Sequence, residues 1–509
     1  MAPGFGPTTF GASLATASMN AGETAGWDAN GPNPVEDFFF LAQAKAKFLE
    51  GDLMGHIAVM SISASVGLVS IFLVDFVDLL FIAMLGDPSL TAAVGFASTI
   101  LFITFSVTLG LTIAVSALSA RLIGAGDAEG ARSLATSAIA FGLAVSVVVS
   151  GVFWLAAPAM LRLIGADGET LDHATGYLRI VVLAMPISTF GLMSSGLLRA
   201  HGDARRAMVV TLSAGAVNAV LDPIFIFALG LGLEGAAYAS VCARVATALT
   251  AGLPILRHYG GYAPLDRAQL PADLKPILGL ALPAILTNIA TPIGNSVVTR
   301  AVAPFGDEAV AGYAVVGRLI PLSFCVIFAL SGAVGPIIGQ NFGAEAFHRV
   351  KGTLTRAAIF AGGYVVLIWA VLVLLQGPIS AQFQLNEDGQ AIVFWFALLG
   401  APLFVFNGIL FISNAAFNNL KRPVWSAWLN WGRNTIGVGP FVMAGAMVGG
   451  APGVLIGQGI GGIAFGVIGL WLAFRLVDDY ADGRADPDMP ARFPLRPRQK
   501  HAAPTPPGE

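Results

Sequence analysis

The chain reads as an all-α polytopic membrane protein, with twelve transmembrane helices in two pseudo-symmetric lobes of six. Three observations carry that reading. Only 11% of the 509 residues are charged and 56% are hydrophobic, whereas a soluble chain carries about a quarter charged residues. Stretches such as 57–74 and 88–120 hold no charge at all, and crossing a bilayer takes roughly 20 apolar residues per helix. The second half also repeats the first at an offset of about 220 residues. Because the apolar runs are continuous rather than alternating, a membrane barrel is excluded.

Spans are expected at 57–85, 89–119, 134–158, 174–198, 207–230, 234–256, 276–303, 308–338, 353–377, 390–416, 424–448 and 452–474. Basic residues set their orientation. With both termini cytoplasmic, 21 of the 27 Lys and Arg fall in inside segments, from Lys45 and Lys47 through Arg121, Arg205 and Lys421 to the six after residue 474. Outside segments hold Arg162. Repeated halves of six spans are parallel repeats, a transporter signature. Without a gap, Asp75 maps to Asn295, Asp78 to Val298 and Gly86 to Gly306. The turn LIGAGDAEGAR (122–132) likewise matches QNFGAEAFHRVK (340–351).

The expected organisation is a cytoplasmic tail with an interfacial helix (1–52), a first lobe (53–257), a cytoplasmic linker (258–275), a second lobe (276–475) and a disordered cytoplasmic tail (476–509). The segment 35–50 (VEDFFFLAQAKAKFLE) has the amphipathic pattern of a helix lying on a membrane. Residues 1–34 lack the basic start and apolar core of a signal peptide. The last segment is Pro-rich with scattered charge, a composition that resists folding.

Of the thirty carboxylates, three lie deep in apolar helices: Asp75, Asp78 and Asp222. An acid at membrane depth costs roughly 2.5–3.5 kcal/mol on insertion scales, so it faces a cavity or a partner and marks function. Asp75 and Asp78 are three apart, and Asn218 and Asp222 four apart, so each pair shares a helix face. Counted at 1.5 Å per residue, Asp78 and Asp222 come to one depth, roughly 12 Å below the outer surface, with Ser240 close to the same level. Pro223 removes a backbone donor beside Asp222 and frees the carbonyl of Ala219. Two carboxyls and an amide suit a proton or a hard cation such as sodium at Asp78, Asn218 and Asp222. Adjacent carboxyls cannot both ionise cheaply, so the pair is expected to exchange protons. The competing reading makes these residues interhelical hydrogen-bonding glue, which suits Asn218 alone better than two acids beside a proline. Asp75 is either part of the site or a partner of Asp78.

The second half has no deep acid, which assigns coupling to the first. Arg244, Arg318 and Arg433, also within spans, fit carbonyl pairing or snorkelling. Cys242 and Cys325 lack any metal or disulfide spacing and read as apolar fillers. A net charge of −3 offers no field for nucleic acid. Phosphate-loop, serine-nucleophile and His/Cys cluster motifs are absent, so no enzyme and no cofactor is expected, and an ion gradient must drive transport.

Three segments resemble a known family. FVDLLFIAMLG (76–86), SSGLLRAHGDARRAM (194–208) and NAVLDPIFIFALGLGLEGAAYAS (218–240) are similar to motifs of the multidrug and toxic compound extrusion (MATE) transporters, over a 53–475 core. The resemblance implies twelve helices, two lobes and exchange of a cation for amphipathic drugs by alternating access. It points to the DNA-damage-inducible F-like branch, whose first-lobe aspartates match Asp78 and Asp222, with Asn218 and a hydroxyl at Ser240. Ser63 departs from the proline that relatives with a bending first helix carry, and Asp75 is an additional acid. The expected activity is export of organic cations in exchange for protons or sodium, by a monomer in the inner membrane. The alternative is a lipid-linked oligosaccharide flippase of the same superfamily, for which Arg318 and Arg433 would line a cationic cavity. A non-transporting receptor would explain neither the repeat nor the acids.

Overall fold

The structure, a computed structural model, describes residues 46–485, and among them there is helix and no strand. The helices are α1 (Leu53–Ala83), α2 (Pro88–Gly124), α3 (Ala128–Leu163), α4 (Gly168–Leu183), α5 (Met185–Ala200), α6 (Ala204–Pro223), α7 (Gly232–His258), α8 (Leu270–Val302), α9 (Asp307–Ser323), α10 (Cys325–Gly343), α11 (Phe347–Gln382), α12 (Glu387–Trp395), α13 (Ala401–Asn419), α14 (Pro423–Gly432) and α15 (Gly439–Ala481). They compose twelve spans. Helices α4 and α5 are one span bent by 48°. Helices α9 and α10 form another, and α12 runs into α13 through a π-helical segment, Phe396–Gly400. A second π segment, Arg433–Gly437, joins α14 to α15, which breaks at Gly450 (φ 59°, ψ −146°) and so supplies the last two spans.

Acids just before helix starts have a local task. Asp52, Asp87, Asp127 and Asp203 each accept from a backbone N–H in the first turn of the following helix, and Asn386 does the same for α12. Such caps satisfy donors that would otherwise be orphaned. The repeat appears in the backbone as well. Left-handed residues close five turns in each half: Gly86 and Gly306, Gly126 and Glu345, Gly165 and Gln384, Gly202 and Lys421, Gly230 and Gly450. In three of these turns the first half uses glycine where the second forces a side chain into the same conformation.

Two boundaries shift. The final helix runs to Ala481, so residues 476–481, expected to begin a disordered tail, are helical, with Val477 and Tyr480 buried. The reason is apolar spacing: these two side chains join the second-lobe core. Helix α8 begins at Leu270, leaving residues 259–269 as linker. Most of the expected interfacial helix (35–45) lies outside the described residues; Lys47–Leu49 is a 3-10 turn.

The linker joins α7 to α8 at what we call the linker end, which also bears the turns at 125–127, 201–203, 344–346 and 420–422; the opposite end is the far end. The lobes interlock at the linker end by exchange. Leu53, Ile57 and Met60, at the root of α1, pack into the second-lobe core. Ile277, Leu280 and Ala281, at the root of α8, pack into the first. Helices α2 and α10 touch backbone to backbone, since a Cβ on Gly124 would overlap Gln340 and one on Gly343 would overlap Arg121. Residues 46–52 strap this closure. Lys47 Nζ donates to Gly202 O of the first lobe (2.9 Å). Phe48, buried, gives its N–H to Gln340 Oε1 (2.9 Å), while Gln340 Nε2 reaches across to Ala200 O (2.7 Å). Arg349 of the second lobe holds the carbonyls of Phe48, Glu50 and Gly51. Towards the far end Leu73, Phe76 and Leu80 on α1, with Ile293 and Val297 on α8, are exposed instead.

The GDAR turn (202–205) is fixed the same way. Asp203 accepts from the Arg206 guanidinium (2.6 Å) and the Tyr259 hydroxyl (2.7 Å), and His201 stacks on the Tyr259 ring at 4.3 Å. Although partial burial works against it, these donors hold the Asp203 carboxyl below its usual range. Its contribution to stability is therefore present above the ordinary carboxylate pKa and lost as pH falls through the depressed value. Asp203→Asn should flatten the acid limb of stability in detergent; an unchanged limb would refute the linkage. The left-handed turns make a second prediction. Such a conformation costs a non-glycine residue about 1–2 kcal/mol, and Gln384 is exposed with φ 51°. Gln384→Gly should raise the thermal midpoint, while Gly165→Ala at the matching turn should lower it.

Candidate coupling site

Helix α1 carries Asp78 five residues before Ala83, and α6 with its π extension carries Asp222 six residues before Ala228. At 1.5 Å per residue both lie about 8–9 Å below the far end of their helices. Helices α1 and α6 pack against each other, with Gly215 admitting Ser70 and Gly67 admitting Thr211 at the contact. The carboxyls meet on one amide. Asn218 Nδ2 donates to Asp78 Oδ2 (2.7 Å) and to Asp222 Oδ2 (2.8 Å), using both of its hydrogens. Asp222 is fully buried, and Asn218 is nearly so.

The second oxygens of this group have no donor. Asp78 Oδ1, Asp222 Oδ1 and Asn218 Oδ1 are buried without a protein partner. Buried acceptors normally find partners, and each one left unmatched costs about 1–3 kcal/mol. Three such oxygens in one hydrogen-bonded group fit a proton carried on the acids or a hard cation that takes oxygen ligands. Pro223 follows Asp222 directly, and the turn after it is π-helical over Ile224–Ala228. The missing donor thus widens the helix beside the acids without breaking it, a distortion frequent at functional positions.

Other expected members stand differently. Asp75 is exposed one turn before Asp78 and outside this hydrogen-bonded group. Its neighbour Phe76 meets Arg318 of α9, with the guanidinium 5.8 Å from the ring centroid. Ser240, on α7, lies beside the hydroxyl of Tyr177 on α4, and that phenol lies within electrostatic range of Asp78, Asp222 and Arg244. Tyr177 was not singled out by the sequence. Its signal was weak: one tyrosine in a span that also contains Arg179. Arg244 is committed to the carbonyl of Val181.

In the second lobe, the repeat offset puts Val298 and Val442 opposite Asp78 and Asp222, and both are fully buried in the apolar core. Asn295 is exposed. The second lobe has its own polar group, assembled from other positions. Arg433, at the start of the π segment, donates to Asn407 Oδ1 and reaches Asn434 Oδ1 at 3.4 Å. Asn434 Nδ2 then donates to Asn430 O (2.8 Å), and Asn430 Nδ2 to Asn414 Oδ1 (3.0 Å).

The MatE family model matches twice, over residues 64–224 and 283–444. An FAD transporter of Shewanella oneidensis is 27% identical over 434 residues, covering 84% of this chain and 96% of that one. The multidrug export protein MepA of Staphylococcus aureus is 26% identical over 306 residues, covering 59% and 66%. The crystal structure of VcmN, a MATE transporter of Vibrio cholerae, is 25% identical and superposes with a TM-score of 0.78, covering 83% of this chain and 96% of that one.

The shared amide yields a stability prediction. Asn218→Leu keeps the side-chain branching but withdraws both donated hydrogens, so it should destabilise the protein by about 1–3 kcal/mol. Thermal unfolding in detergent measures this, with Ser240→Ala as a milder comparison. Equal midpoints for Asn218→Leu and wild type would mean that the amide holds neither acid.

Proposed function

We propose an ion-coupled export cycle for this chain, which belongs to the MatE family of multidrug and toxic compound extrusion transporters. In this reading Asp78 and Asp222, bridged by Asn218, bind the coupling ion, a proton or sodium, within the first lobe. The observation that carries it is the single amide serving two carboxyls whose remaining oxygens lack donors. Tyr177 and Ser240 adjoin the pair, and Asp75 supplies negative charge nearby.

The basic-residue asymmetry supports cytoplasmic termini and an inner-membrane location, with the linker end inside. The interlocked linker end then makes this an outward-open arrangement, in which outside protons reach the acids from the far end. Protonation neutralises the acids that attract a cationic cargo and favours its release outward. The return to an inward-open state requires the α1 and α8 roots to withdraw and the strap at Phe48 to part. Monomers suffice, because each chain holds both lobes. A second reading of the cargo, a flavin nucleotide, is favoured by the FAD transporter, which aligns over nearly its whole length.

The test is flux in proteoliposomes with proton and sodium gradients imposed separately. Asp222→Asn and Asp78→Asn should each abolish gradient-driven efflux at normal expression, Asp75→Asn should lower it less, and Asn295→Ala least. Wild-type efflux in Asp222→Asn would refute the assignment. For orientation, Cys242 and Cys325 are first replaced by alanine. Gly86→Cys should then react with an impermeant thiol reagent from outside, and Gly126→Cys only from inside. Labelling of Gly126→Cys from outside in intact cells would invert the topology and turn export into uptake.

A further inference from the structure

Arg433 is a cation without an anion. It lies ten residues into the span that begins at Pro423, hence about 15 Å from the linker end and near mid-membrane. Among the described residues no carboxylate pairs with it. Its two acceptors, Asn407 Oδ1 and Asn434 Oδ1, are neutral amides, and its Nε is buried with no partner. Arginines inside membrane spans normally pair or face a water-filled path, and they mark substrate routes. As whole residues, Arg433 and Asn407 are both half-buried rather than sealed.

The surroundings are aromatic. Asn407 shares one face of α13 with Phe404 and Phe411, three residues before and four after it. Phe324 stacks on Phe404 at 4.2 Å, and Phe328 lies 5.8 Å from both Phe404 and Phe411. A guanidinium offers planar donors that match the paired oxygens of a phosphate or carboxylate, and aromatic faces favour offset or edge contact with a ring. The adjoining π segment, Arg433–Gly437, gives the backbone a local bulge at this point.

We propose that Arg433, steadied by Asn407 and Asn434, docks the anionic oxygens of an aromatic substrate in the second lobe, while the first-lobe acids take the coupling ion. The inference rests on the second reading of the cargo, a flavin nucleotide, rather than the cationic one, and names its chemical class: a planar ring bearing a phosphate ester or a carboxylate. It divides the task between lobes. Negative charge binds the ion on one side, and positive charge binds the substrate on the other.

The test is equilibrium binding to the purified full-length protein without any gradient, followed by quenching of flavin fluorescence. Riboflavin 5′-phosphate and riboflavin share a ring and differ in the anionic group. Wild type should prefer the phosphate by about tenfold, and Arg433→Gln should bring the two affinities within about twofold of each other. Asn407→Asp keeps the side-chain shape while giving Arg433 an internal anion, and should erase the preference equally. If Arg433→Gln elutes as aggregate, Asn407→Asp decides in its place. No flavin binding to wild type, equal affinity for both flavins, or a preference surviving in a folded variant would each overturn the proposal. Because no gradient is present, a negative result leaves ion coupling at Asp78 and Asp222 standing, and loss of that coupling leaves this binding intact.

Discussion

The root of each lobe's first helix is packed by the other lobe's core. Leu53, Ile57 and Met60 belong to the second-lobe cluster by contact though to the first lobe by sequence, and Ile277, Leu280 and Ala281 reverse the relation. The exchange spends apolar burial where the two halves must hold together and leaves the far half of α1 and α8 to face outward. Asp78 stands in that far half. In the proposed cycle, this interlock leaves the far end as the side from which the acids are reached.

Charge is partitioned as strictly as packing. Lipid offers no partner to a buried carboxyl, so Asp78 and Asp222 depend on one amide, and the counterpart positions in the second lobe are valines. In the proposed cycle, an ion bound wholly within one lobe cannot draw the two lobes together by bridging them. It must act by changing how α1 rests on α6, or by competing with the charge of the cargo. The second lobe, lacking acids at this level, keeps one guanidinium among amides and phenylalanines.

Much of this was legible from residue type and spacing. Continuous apolar runs fixed the spans, because the cost of unsatisfied backbone in lipid leaves helices little freedom. Deep acids stand out for the same reason, and counting rise per residue brought Asp78 and Asp222 to one depth with Ser240 close to it, although Ser240 stays outside the group that Asn218 bridges. What escaped notice depended on geometry across helices. Tyr177 is an ordinary aromatic until α4 sets it against Ser240. Asn407 and Arg433 come from different helices, and neither has a sequence neighbour that announces the pair. Exposure of Asp75 turns on the rotation of α1 about its axis, which a spacing of three residues does not define. The helical stretch after residue 475 was hidden by surrounding charge, although Val477 and Tyr480 keep the apolar period.

Where α2 and α10 cross, glycine lets main chain press on main chain, at Gly124 against Gln340 and at Gly343 against Arg121. A gate closed by side chains can leak when one rotamer flips. A gate closed by backbone has no such small motion, and it parts only when whole helices move. Thermal fluctuation of single residues therefore does not open this contact, and in the proposed cycle slippage between ion entry and cargo exit is suppressed. For a cell running that proposed cycle, the benefit is thrift: little of the gradient drains away while the transporter waits for a substrate.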